Sequence, residues 1–121
     1  MPKKILVVDD DELVVIAIRE LLTPLGLSVT TSSSGPEALE MARGDSFDLI
    51  VLDVIMPEMD GFEVCRRIRG LEAYRETPIM MLTAMSSEAD KQRGMEAGAN
   101  LYLPKPISPH RLISFVEEAL K

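Results

Sequence analysis

Five short runs of strand-forming residues punctuate the chain: ILVV at 5–8, LSVTT at 27–31, DLIVLD at 48–53, PIMMLT at 78–83 and LYL at 101–103. A helical pattern follows each of them. The first run, ILVV, is continuous and apolar without polar alternation, the mark of a strand buried on both faces. A β-then-α unit recurring at roughly 20 to 30 residues is the period of right-handed crossovers that build a parallel sheet. The expected fold is therefore α/β, a doubly wound parallel sheet covered by helices on both sides.

The helical stretches carry their own punctuation. After Asp11, placed to cap, Leu13, Ile16, Ala17 and Leu21 recur at helical spacing, and TPLG at 23–26 stops that helix. Ser34, Pro36 and Glu37 form a capping signature for a second helix, which runs to about Arg43. The third is predicted over Phe62 to Leu71, and the fourth over Ser86 to Ala97, closed by Gly98. Ser108 and Pro109 open a fifth, whose apolar face is Leu112, Phe115, Val116 and Leu120.

With 121 residues there is room for one core, so residues 1–121 are read as a single domain. Aromatics are only 4%, so aliphatic side chains and eight methionines must fill that core. The net charge of −7 repels a phosphate backbone and argues against direct nucleic-acid binding. The lone cysteine, Cys65, has no partner for a disulfide or a metal knot, which fits a reducing compartment. The apolar run after MPKK is too short for a signal core or a membrane span. The expected location is the cytoplasm, away from membranes.

In open parallel sheets the ligand site lies beyond the carboxyl ends of the strands. That rule selects Asp9 and Asp10 after the first run, Asp53 at the end of the third, Thr83 at the end of the fourth and Lys105 just after the fifth. Three carboxylates converging in a partly desolvated cleft call for a cation. A hard divalent ion such as Mg²⁺, which prefers oxygen ligands and is commonly shared with a phosphate, suits them. Thr83 offers a hydrogen bond and Lys105 a point charge to a phosphoryl group, leaving Asp53 as the nucleophile that takes it as an acyl phosphate.

The motifs VVDDD, LDVIMPEMDG, LTA and YLPKP, in that order and each at a strand end, resemble those of response-regulator receiver domains of the CheY-like type over essentially the whole chain. The resemblance implies five strands in the order 2-1-3-4-5 with five helices, and a phosphoacceptor of two-component signal transduction. It further implies that Asp53 accepts a phosphoryl group from a sensor histidine kinase, a phosphotransfer protein or a small acyl phosphate. Asp10, Asp53 and the backbone carbonyl of Ile55 would bind Mg²⁺, with Asp9 assisting through water. Thr83 and Lys105 match the phosphoryl-sensing residues and Tyr102 the rotating aromatic switch, which turns inward on phosphorylation. The Lys105-Pro106 peptide is expected to be cis. The implied readout is a changed face formed by the fourth helix, fifth strand and last helix. It would be read by an output domain or downstream protein, or by a phosphorylation-dependent dimer. Such a domain assists its own phosphorylation and dephosphorylation rather than acting as an enzyme on another substrate.

Plainer readings stand beside these. Asp11 is a helix cap, and Pro57, Asp60 and Gly61 shape a turn. Tyr102 alone reads equally as a half-buried strand aromatic with its hydroxyl in water. Cys65 reads as a small apolar side chain, and His110 as an exposed residue of the last helix. Among rival functions, a flavin or nucleotide site would need a Gly- or Ser/Thr-rich loop where DDDE stands. A haloacid-dehalogenase-type phosphatase would need an acid where Ile55 stands. A pseudo-receiver that binds protein without being phosphorylated is the remaining alternative.

Overall fold

A computed structural model describes residues 2–121. Its elements alternate as the sequence predicts: β1 (Lys4–Val8), α1 (Glu12–Leu22), β2 (Ser28–Ser32), α2 (Gly35–Gly44), β3 (Leu49–Leu52), α3 (Gly61–Arg69), β4 (Ile79–Thr83), α4 (Glu88–Ala97), β5 (Leu101–Pro104) and α5 (Pro109–Ala119). The strands form one sheet in the order β2-β1-β3-β4-β5, and every neighbouring pair is parallel. This is the doubly wound topology expected, with the reversal of strand order between β1 and β3.

Side chains alternate across the sheet, and the interior of this one domain packs as a layer on each of its faces. Leu6, Val8, Ile50, Leu52, Ile79, Met81 and Tyr102 face one way and pack with Ala38, Leu39, Phe62, Cys65 and Ile68 of α2 and α3. Ile5, Val7, Leu49, Val51, Met80, Leu82 and Leu103 face the other way and meet Ile18 and Leu22 of α1 and Leu112 and Val116 of α5. Strands covered on both faces can be apolar at every position, which is why their runs are continuous.

One expected face is corrected. Leu13 is 78% exposed and Ile16 46%, whereas Ile18 and Leu22 are buried. The α1 sequence ELVVIAIRELL is apolar on nearly every side, so two stripes compete. The one containing Ile18 and Leu22 faces the sheet, each side chain stabilising by roughly 1.5–3 kcal/mol on burial.

Cap details also shift. Asp11 caps α1 by accepting from the Leu13 N–H, and Ser108 caps α5. In α4 the capping residue is Ser87, one later than the predicted start at Ser86, and Gly98 closes the helix at a positive φ of 115°. The third helix stops at Arg69 rather than Leu71. At α2, Ser34 accepts from the Glu37 N–H. The Glu37 carboxylate, however, reaches back to the Ser33 N–H and the Ser32 hydroxyl instead of the Ser34 N–H.

Candidate functional site

The strand ends assemble the site. Just past β1, the Asp9 N–H extends the ladder to the Ser32 carbonyl at 3.0 Å. Just past β3, the Asp53 N–H reaches the Val8 carbonyl at 2.9 Å, fastening the two acids side by side. The Lys105 N–H donates to the Thr83 carbonyl at 2.8 Å and so carries the β4–β5 ladder one residue beyond the sheet. The Lys105-Pro106 bond is cis, as expected.

Asp9, Asp10 and Asp53 each offer a carboxylate oxygen within 4.8 Å of the others; Asp9 and Asp53 are buried and Asp10 is exposed. Like charges at that separation repel by roughly 3.5 kcal/mol per pair at an effective dielectric of about 20. The chain supplies part of the compensation. Lys105 Nζ lies 2.9 Å from Asp9 Oδ2 and 3.2 Å from Asp53 Oδ2, bridging both buried acids. The remaining oxygens take backbone donors: Asp53 Oδ1 accepts from Val54 N–H at 2.7 Å and Asp9 Oδ1 from Asp11 N–H at 2.9 Å.

Burial holds the Asp9 carboxyl above its usual range, against the lowering pull of the Asp11 N–H and Lys105. Burial pulls the Lys105 ammonium down, but its bond to Asp9 and the charge of Asp53 outweigh that and hold its pKa above the usual lysine value. The lysine therefore stays charged, and a further cation is still favourable for the three acids.

Thr83 is completely buried at the end of β4. Its hydroxyl oxygen accepts from the Met85 N–H at 3.3 Å. The Tyr102 hydroxyl donates to the Met85 carbonyl at 2.6 Å. Residue 85, at the start of the β4–α4 connection, is thus held on one side by the phosphoryl-sensing candidate and on the other by the switch candidate. Tyr102 is 5% exposed. This sets aside the plain reading with its hydroxyl in water: in this structure the ring stands inward. Burial, followed by the charges of Asp90 and Asp53, raises its phenol pKa.

Ile55 lies in the loop after Asp53 with its side chain 55% exposed. No acid stands at its position, so the site lacks the group that the dehalogenase-type reading needs. Asp60 caps α3 by accepting from the Glu63 N–H at 3.0 Å, as its structural reading had it. Gly61 does more than turn the chain. A Cβ there would lie 2.7 Å from the Val54 Cα and would also strike the Asp53 carbonyl, so only glycine lets α3 start against the backbone that carries Asp53. Met85 could not have been singled out from the sequence, because it acts through its backbone. Cys65 is buried, and burial pushes its thiol up to about 11, an unreactive side chain. His110 is exposed in the first turn of α5.

A parallel five-stranded sheet whose carboxyl edge gathers three aspartates, a buried threonine and a bridging lysine defines a class of phosphoryl-handling signalling domain. Residues 5–117 match the response regulator receiver domain family, and the chain belongs to that family. Phosphorylation of an aspartate in two-component systems is the family's general function. The alkaline phosphatase synthesis transcriptional regulatory protein PhoP of Bacillus subtilis is 46% identical over 121 residues, all of this chain and 50% of that protein. The chain spans about half the length of the curated relatives it matches. Among solved structures, the chemotaxis response regulator CheY4 of Vibrio cholerae superposes with a TM-score of 0.91 at 37% identity, covering 98% of this chain and 99% of that one. The receiver domain of the sensor histidine kinase PA1611 from Pseudomonas aeruginosa, which holds a magnesium ion coordinated in its active-site cleft, does so with a TM-score of 0.90 at 32% identity, covering 99% of this chain and 98% of that one. Among the described residues, no helix is long and apolar enough to cross a membrane.

Proposed function

We propose that Asp53 is the phosphoacceptor of this domain and that its reaction depends on Mg²⁺. The observation that carries the reading is the geometry around Lys105: one ammonium bridges Asp9 and Asp53, while Asp10 brings a third carboxylate oxygen within 4.8 Å. The three clustered carboxylates are hard oxygen donors that fit Mg²⁺; Asp10, Asp53 and the Ile55 carbonyl would hold it directly and Asp9 would support it. When bound, the ion supplies positive charge against the oxygens of the phosphoryl group.

The chain's own residues do the rest. A carboxylate oxygen of Asp53 attacks phosphorus, the P–N bond to a phosphohistidine breaks, and the imidazole nitrogen leaves with the electron pair. The Val54 N–H orients Asp53 through its Oδ1. Lys105 exchanges part of its pairing with Asp53 for the incoming phosphoryl oxygens, and the Thr83 hydroxyl hydrogen-bonds to them. The same groups serve hydrolysis of the acyl phosphate, so the domain assists both its own phosphorylation and its dephosphorylation and does not act on a separate substrate. The donor is a sensor histidine kinase, a phosphotransfer protein or a small acyl phosphate. The receiver of the signal is an output domain, a downstream protein or a second phosphorylated copy. The reading is of a cytoplasmic domain, supported by its single unpaired cysteine.

Acid-labile labelling or intact mass after incubation with acetyl phosphate tests this directly. The wild type is expected to gain one phosphoryl group only with Mg²⁺, and Asp53→Asn none. Undiminished labelling of the variant would remove Asp53 from the role. A wild type that is never labelled, by small donors or by phosphorylated kinase, would favour the pseudo-receiver reading.

A further inference from the structure

Gly94 sits in the interior of α4, a ten-residue helix, where glycine weakens the helix relative to alanine. Its backbone does not call for glycine. The glycines with positive φ among the described residues are Gly26 and Gly98, and Gly94 is not one of them. The explanation is space. A Cβ at position 94 would lie 2.6 Å from Cδ2 and 2.9 Å from Cε2 of Tyr102, and 2.9 Å from Sδ of Met81. Gly94 and Ala97 are the buried residues of α4, so this helix meets the sheet through its smallest side chains.

We infer that Gly94 is a positioning residue of the switch: the missing side chain is the seat of the Tyr102 ring, and α4 can lie against the sheet with the ring inward only because that seat is empty. The inference rests on the reading of Tyr102 as part of the signal route. From the phosphoryl site outward, the route runs from Thr83 to the Met85 N–H, from the Met85 carbonyl to the Tyr102 hydroxyl, and from the ring to Gly94. Filling the seat pushes the ring out and releases the Met85 carbonyl. Because coupling between two ends of one equilibrium is reciprocal, the same substitution weakens the response of Tyr102 to events at Asp53.

The chain has two tyrosines, so incorporation of 3-fluorotyrosine gives two fluorine resonances. Tyr74 serves as the internal control, its hydroxyl being fixed to the carbonyls of Ala42 and Asp45. In Gly94→Ala the Tyr102 resonance is expected to move toward that of free fluorotyrosine, with a larger solvent isotope shift, while the Tyr74 resonance stays in place. A Tyr102 resonance unchanged by the substitution overturns the inference.

Thermal melts give a second readout of opposite sign in two backgrounds. Gly94→Ala should lower Tm when Tyr102 is present and raise it in a Tyr102→Ala background, where helix preference is no longer opposed by the ring. A change of the same sign and size in both backgrounds also overturns it. If Gly94→Ala does not fold, recovery of folding in the double variant supports the seat, and failure to recover counts against it. Neither readout needs a phosphoryl group. Failure of the Asp53 reading appears separately, as a wild type whose Tyr102 resonance ignores beryllofluoride with Mg²⁺. Where the wild type does respond, a response of equal size in Gly94→Ala overturns the coupling.

Discussion

Lys105 carries more of the site's charge balance than residue types alone indicate. Three carboxylates at adjacent strand ends argue for a divalent cation, yet the structure shows an ammonium already placed between the two buried ones. Replacing Lys105 by alanine leaves Asp9 and Asp53 buried without it, and the expected loss is about 1–3 kcal/mol of stability. Mg²⁺ can take over some of that compensation, so saturating Mg²⁺ should narrow the gap between variant and wild type. Urea unfolding of both proteins with and without Mg²⁺ measures this, and equal stability in its absence contradicts the bridging role. Asp9, Asp53, Thr83 and Lys105 are legible in the sequence because each follows a recognisable strand. Lys105's double pairing is not, since it depends on where the chain beyond β5 turns. Gly61 looks like any turn glycine until the backbone of Asp53 and Val54 is found against it.

Elements were legible in kind and order, and less so in which side they turn inward. In α1 the stripe through Leu13 and Ile16 has helical spacing as good as that of Ile18 and Leu22, but only the latter is buried. Leu22→Ala is therefore expected to cost about 2–5 kcal/mol. Leu13→Ala should stay within about 0.5 kcal/mol of wild type in the same denaturant titration. A large loss at Leu13 would mean that the helix is rotated. In α2, the Ser33 N–H and then the Ser32 hydroxyl lower the pKa of Glu37 below its ordinary 4.5. A carboxylate depressed on folding contributes stability that is present above the unfolded pKa and lost as pH falls through the folded one. Wild type should thus exceed Glu37→Gln in stability above pH 4.5, with the difference fading on further acidification. Parallel stability curves through that range would contradict it. The contribution is small, because the group is exposed and screened.

Across the whole molecule, a short relay joins the acid site to α4, beside the edge strand β5. Thr83 and Tyr102 both hold residue 85, and Tyr102 lies beside α4. The expected response to a phosphoryl group is a change in how residue 85, the Tyr102 ring and α4 pack together. Thr83→Ala should still be labelled at Asp53, while the amide shifts that beryllofluoride induces along α4, β5 and α5 shrink. A full response in that variant, or one confined to α1, would show that the signal leaves by another path.

The sequence by itself determined the alternation of strand and helix, the burial of β1 on both faces, the caps of α1, α2 and α5 and the set of residues at the carboxyl edge. Those depend on periodicity and on contacts between near neighbours, which a linear reading contains. Only the tertiary structure decided which stripe of α1 faces the sheet, how Lys105 spans two acids, and why positions 61 and 94 exclude a side chain. Each of these is a distance between residues on different segments of the chain, set by packing of the finished fold.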